Sequence, residues 1–123
     1  MATIKSYTDI EQSKKLAEIL PIESADYTRL GKNEDNVLTR PYLESYSSEL
    51  KGWIGKDEIY PCWSLAALIE VLPLIEGFKP VIDLDINQIR YEGKYRDELI
   101  VSSENLVDAC YEMIIKLHEL NLL

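Results

Sequence analysis

The first apolar pattern along the chain has helical spacing. Apolar side chains recur at that spacing over residues 9–20, and Thr8 stands three residues before Glu11, which is the spacing of a capping box. Pro21 cannot continue a helix. The pattern therefore predicts a first helix over residues 9–20.

The middle of the chain holds its most apolar segment. Only Ser64 and Glu70 are polar within residues 62–72, and Pro61 suits the first turn of a helix because its missing N–H would be unpaired there. A helix that is apolar on all sides has to be covered on several sides. We expect residues 62–72 to form a buried central helix.

After residue 79 the apolar period changes to two. Three apolar residues alternate with three polar ones over residues 82–87, which is typical of a strand with one face in the core and one in water. The parity reverses near Asn87 and Gln88, Gly93 allows a second turn, and residues 99–102 offer another short strand. This pattern predicts a small antiparallel sheet of two or three strands.

The last helix has an unusually wide apolar arc. Ser103 is its predicted N-cap, and Glu112 with Lys116 has the spacing of a favourable ion pair. Packing on one sheet needs an apolar stripe only a little over 100° wide. We therefore expect a second packing partner, which is the central helix, the 22–60 segment or another copy of the chain. The candidate interaction surface consists of Tyr111, Ile115, His118 and Leu122.

Residues 22–60 show no sustained period. Scattered tyrosines, glycines and a polar cluster predict an irregular, aromatic-rich wrap around the core, with a short helix near residues 42–50 as an option. The predicted fold is a single α+β domain over residues 1–123. It has three main helices and one small antiparallel sheet, and the C-terminal helix packs on the sheet and on the central helix.

Composition and charge narrow the classes of partner. The chain has 123 residues, 46% of them hydrophobic, and its 13 Lys and Arg against 22 Asp and Glu give a net charge of −9. Nucleic acids and anionic membranes are bound through clustered basic side chains. The acidic balance therefore predicts no direct nucleic-acid or membrane binding.

The termini and cysteines indicate a reducing compartment. The first twenty residues carry charges throughout and lack the apolar core of a secretory signal, so the expected location is the cytoplasm. Cys62 and Cys110 belong to no C-x-x-C pair and are interpreted as buried thiols.

Motifs that carry chemistry are missing from the sequence. Asp83, Asp85 and Asn87 begin like a calcium loop, but Gln88 stands where that loop needs glycine. His118 is the single histidine, and no phosphate loop, dinucleotide fingerprint or zinc spacing occurs. No catalytic, metal or cofactor residue is predicted, which favours a protein that is not an enzyme.

Three segments carry a family resemblance. They lie at residues 4–17 (IKSYTDIEQSKKLA), 61–68 (PCWSLAAL) and 107–120 (VDACYEM with LHEL), and they resemble small uncharacterised proteins encoded by prophages and mobile elements of gut bacteria. Residues 61–120 are more distantly similar to phage α-β-α sandwich domains. The prophage and mobile-element proteins often have proline after the asparagine that corresponds to Asn105, where this chain has Leu106. The resemblance implies a phage-related origin and brings no catalytic residue.

The leading functional hypothesis is a non-catalytic phage or mobile-element accessory protein that acts through protein–protein contacts, with a homodimer as one form. A first alternative is an acidic DNA mimic that inhibits a nucleic-acid-binding host protein. A second is a small hydrolase with Cys62 as nucleophile and His118 as base.

Overall fold

A computed structural model describes residues 5–31, 37–38, 59–93 and 97–123. The described part contains three α-helices and two three-stranded antiparallel sheets, which confirms the α+β class. The chain divides into two compact units, one formed by Tyr7–Ala67 and the other by Met1–Ser6 with Leu68–Leu123. The single domain over residues 1–123 stays a prediction.

The unit Tyr7–Ala67 combines one helix with one sheet. Helix α1 spans Ile10–Ile19, a short 3₁₀ turn spans Ile22–Ser24, and the strands are β1 (Tyr27–Leu30), β2 (Val37–Leu38) and β3 (Ile59–Cys62). The strand order is β2-β1-β3, and α1 packs against β3. Among the described residues of this unit, the buried apolar side chains are Leu16, Leu20, Ala25, Ile59, Cys62, Trp63 and Ala67.

Helix α1 begins one residue later than predicted. Asp9 is its N-cap: the Gln12 N–H donates to Asp9 Oδ1 at 2.8 Å, and the Gln12 side chain accepts from the Asp9 N–H at 3.1 Å. The predicted capping box of Thr8 and Glu11 is therefore wrong. Both pairs have the same spacing, and the structure uses the carboxylate of Asp9 because the side chain of Thr8 is fully buried.

Thr8 is the centre of a buried polar cluster. Its hydroxyl lies 2.8 Å from Ser13 Oγ and accepts a hydrogen bond from the Trp63 N–H at 3.1 Å. The Thr8 carbonyl accepts from Arg29 Nη2 at 2.7 Å, and the Thr8 N–H donates to the Trp63 carbonyl at 2.9 Å. The cluster joins the start of α1 to the β1–β3 sheet, so these polar groups are buried with hydrogen-bond partners.

Part of the predicted irregular segment forms a sheet. Strands β1 and β2 and the first half of β3 lie within residues 22–60, and Tyr27 pairs with Cys62 across the β1–β3 ladder. The sequence did not predict this β2-β1-β3 sheet, because its pairs join residues far apart in sequence and no alternation marks its strands. The predicted helix near residues 42–50 lies outside the described residues.

Helix α2 spans Leu65–Val71 and is shorter than the predicted central helix. Pro61 is a residue of β3, an outer strand of its sheet, where the missing N–H of proline is tolerated. Ser64 caps α2, since its Oγ accepts from the Ala67 N–H at 3.2 Å. Ile69 is 38% exposed, so the prediction of a buried central helix covered on several sides is wrong for this part of α2.

The second sheet contains β4 (Phe78–Asp83), β5 (Gln88–Gly93) and β6 (Asp97–Ser102) in the order β4-β5-β6. The predicted strand over residues 82–86 stops at Asp83. Leu84 and Ile86 belong to the following turn and are 74% and 53% exposed. Asn87 closes that turn with a positive φ of 48°, close to the predicted position.

The two faces of this sheet differ in polarity. Ile89, Tyr91 and Leu99 are buried on one face. On the other face Arg90 forms ion pairs with Glu92 at 2.9 Å and with Asp83 at 3.7 Å. The alternation of buried and charged positions matches the period of two that the sequence carries.

Helix α3 spans Leu106–Glu119 and packs against β5 and β6. Its N-cap is Asn105, whose Oδ1 accepts from the Asp108 N–H at 2.8 Å, so the predicted Ser103 cap is wrong. Lys5 forms an ion pair with Asp108 at 2.6 Å. Six residues of α3 are buried: Val107, Ala109, Cys110, Met113, Ile114 and Leu117. Packing on the sheet is therefore observed, and packing on the central helix stays a prediction.

Candidate functional site

A groove runs between helix α3 and the outermost strand β6. Its volume is about 400 Å³. The lining side chains come from one strand residue and two successive turns of the helix: Val101, Tyr111, Glu112, Ile115, Lys116 and Glu119. The groove forms because α3 lies across β5 and β6, where nothing described continues the sheet beyond β6.

The groove combines apolar and charged side chains. Val101, Tyr111 and Ile115 supply its apolar lining. The sequence predicts an ion pair between Glu112 and Lys116 on this helix. Among the ion pairs of the described residues, none joins these two side chains. Lys116 is half-buried, whereas Glu112 is exposed. Their charges are available to a molecule that enters the groove.

The predicted interaction surface coincides with this groove in part. Tyr111 and Ile115 are lining residues, and both are half-buried. His118 and Leu122 are exposed but do not line the groove. The sequence prediction missed Val101, because only the packing of strand against helix brings that side chain to α3.

Both thiols of the chain are buried and free. Burial raises the pKa of Cys110 to about 12. Burial also raises the pKa of Cys62, against smaller opposing effects of the Thr8 hydroxyl and the Arg29 charge. A catalytic cysteine needs a lowered pKa and access to substrate. His118, the proposed base, is exposed on α3. These environments work against the cysteine–histidine hydrolase.

We expect both thiols to resist a thiol-specific reagent in the native protein. At pH 8 a raised pKa leaves little thiolate, and burial blocks access, so the reaction should be at least about a hundredfold slower than with free cysteine. The measurement is colour release from Ellman's reagent, with and without urea. Two thiols should react in urea. Rapid native reaction of one thiol would instead identify an accessible, activated cysteine.

The acidic string of the β4–β5 turn is accounted for by structural contacts. Asp83 Oδ1 accepts from the Asp85 N–H at 3.1 Å, and Asp83 Oδ2 faces Arg90. The Asn87 side chain donates to the Glu104 carbonyl at 3.0 Å. Across the described ranges no three His, Cys, Asp or Glu side chains are grouped to hold a metal ion.

No helix in the described part of the chain has the length and apolar character needed to cross a membrane. Comparisons of the chain with protein-family models, with curated proteins and with solved structures found no match.

Proposed function

We propose that this chain is a non-catalytic accessory protein of phage or mobile-element origin that acts through protein–protein contacts, and that the α3 groove is its contact surface. The origin rests on the resemblance of residues 4–17, 61–68 and 107–120 to prophage proteins. The proposed contact surface rests on one observation: Tyr111 and Ile115 of α3 line the groove between this helix and β6.

The chemistry of the groove suits a protein partner. An aromatic and an aliphatic side chain beside charged ones resembles the composition of interfaces, where aromatic anchors are enriched and the rim is polar. Glu112 and Glu119 make the rim acidic, which disfavours a nucleic-acid backbone. Both thiols are buried, so neither cysteine is an accessible nucleophile.

The test compares what the tagged protein retains when it is purified from its native host. We expect wild type to retain a partner in near-stoichiometric amount and Ile115→Glu to lose it by about tenfold or more, because a charge in the apolar lining has to be desolvated. Leu84→Glu is the matched control. It makes the same change at an exposed leucine outside the groove and should retain the partner.

Thermal unfolding of each variant verifies that the chain still folds. Equal partner recovery by wild type and Ile115→Glu, with both folded, would refute the α3 groove as the contact surface. Loss of the partner in both glutamate variants would also refute the α3 groove as the contact surface, because the added charge would then act in the same way inside and outside the groove.

A further inference from the structure

The outer edge of β6 indicates what enters the groove. The sheet has two edges, and β4 carries Lys79 and Pro80, which discourage the addition of another strand. Strand β6 begins with Asp97 and Glu98 but contains no proline and continues with the apolar run Leu99, Ile100 and Val101; no described strand pairs with its outer side. Ile100 is 44% exposed. β6 is therefore the edge of this sheet that can accept a strand.

The position of α3 fits a second copy on that edge. Because α3 contacts both β5 and β6, it lies over the boundary between these strands. Suppose that the β6 strands of two copies pair antiparallel about a two-fold axis normal to the sheet. With strands about 4.8 Å apart, the two α3 axes would then be about 10 Å apart. Packed helices have axes about 8–10 Å apart, so the helices would touch.

The charges of the groove are self-complementary in this arrangement. The two α3 helices run antiparallel, and a rise of about 1.5 Å per residue brings Lys116 of one copy level with Glu112 of the other when the axis passes near Ile114. The two-fold axis makes this ion pair twice. A purely basic partner would pair with Glu112 and Glu119 but would repel Lys116, which forms no ion pair within the described residues.

We infer, resting on the proposed function, that the occupant of the groove is a second copy of this chain. The two copies join through their β6 edges into a six-stranded antiparallel sheet. The α3 helices pack side by side on one face of that sheet, with Lys116 of each copy against Glu112 of the other.

The test is sedimentation equilibrium of the purified full chain over a range of micromolar concentrations. Wild type should dimerise. Lys116→Glu places like charges across the axis and should raise the dimer Kd by about tenfold. The double variant Glu112→Lys with Lys116→Glu restores the opposite charges and should return the Kd to near the wild-type value. Hydrogen exchange of residues 97–102 should slow as the dimer forms, because pairing protects the edge amides.

Three results would overturn the inference. If wild type stays monomeric at high micromolar concentration, the groove does not bind a second copy. The proposed function would still stand in that case if the purification from the host recovers a partner with wild type and loses it only with Ile115→Glu. A dimer whose β6 amides exchange at the same rate at all concentrations refutes the edge pairing. A charge reversal that does not rescue the Kd refutes the contact of Lys116 with Glu112.

Discussion

Replacing Trp63 by alanine is expected to lower the free energy of unfolding by about 3–5 kcal/mol. Trp63 is fully buried in the unit Tyr7–Ala67. Its indole Nε1–H donates to Ser24 Oγ at 2.9 Å, and the Ser24 hydroxyl donates in turn to the Pro21 carbonyl at 2.6 Å. The substitution removes the largest buried side chain among the described residues of the unit and leaves a cavity. Urea unfolding followed by far-UV circular dichroism measures the loss.

Two milder variants separate the packing of the ring from its hydrogen bond. Ser24→Ala removes the acceptor and keeps the ring, so we expect a loss of about 0.5–1.5 kcal/mol. Trp63→Phe keeps an aromatic ring without the donor and should fall between the other two variants. A loss below about 1 kcal/mol for Trp63→Ala would mean that Trp63 is not the packing centre of this unit.

The strength of each local signal explains which elements the sequence predicted. The apolar repeat of α3 is visible in a short window, and that helix is observed. The period of two over residues 82–87 predicted a small antiparallel sheet, which is also observed, but residues 84–87 of that window form the turn between β4 and β5. Where a cap was predicted, a neighbour of similar chemistry was used instead: Asp9 replaces Thr8, and Asn105 replaces Ser103. Several polar residues at each helix start can accept the same hydrogen bonds, so spacing alone does not choose among them.

Non-local pairing accounts for the elements that the sequence did not predict. The β1–β3 ladder joins Tyr27 to Cys62. Pro61 lies within this ladder, although its neighbours in sequence are typical of a helix start. Pro61 is tolerated in β3 because β3 is an outer strand, and this position becomes known only when the pairing of β3 with β1 is known. A prediction made from neighbours in sequence therefore extended the central helix through residues that pair with a distant strand.

The candidate site could be predicted from the sequence only in part. Tyr111 and Ile115 followed from an apolar arc that is wider than the sheet requires, and both line the groove. Val101 could not be predicted, because its place depends on how α3 crosses β6. Lys116 was predicted in an ion pair with Glu112, the usual outcome at that spacing. The structure leaves that pair unmade and so makes both charges available to a partner.

Replacing Thr8 by valine is expected to lower the free energy of unfolding by about 2–3 kcal/mol, although the side chains have nearly the same shape. The hydroxyl of Thr8 is fully buried, accepts the Trp63 N–H and bonds Ser13 Oγ. Valine leaves that amide and that hydroxyl without this partner, and a buried unsatisfied group costs more than a lost hydrogen bond. Urea unfolding is again the measurement.

Thr8→Asp distinguishes burial from helix capping. Aspartate is as good an N-cap as threonine, so a capping Thr8 would tolerate it. A buried Thr8 would not, because the carboxylate would be desolvated beside Ser13, and the nearby Arg29, which already donates to the Thr8 carbonyl, offsets only part of that cost. We expect Thr8→Asp to be more destabilising than Thr8→Val. We also expect Asp9→Ala, which removes the observed cap, to cost about 1 kcal/mol. A harmless Thr8→Asp combined with a harmless Asp9→Ala would restore Thr8 as the cap of α1.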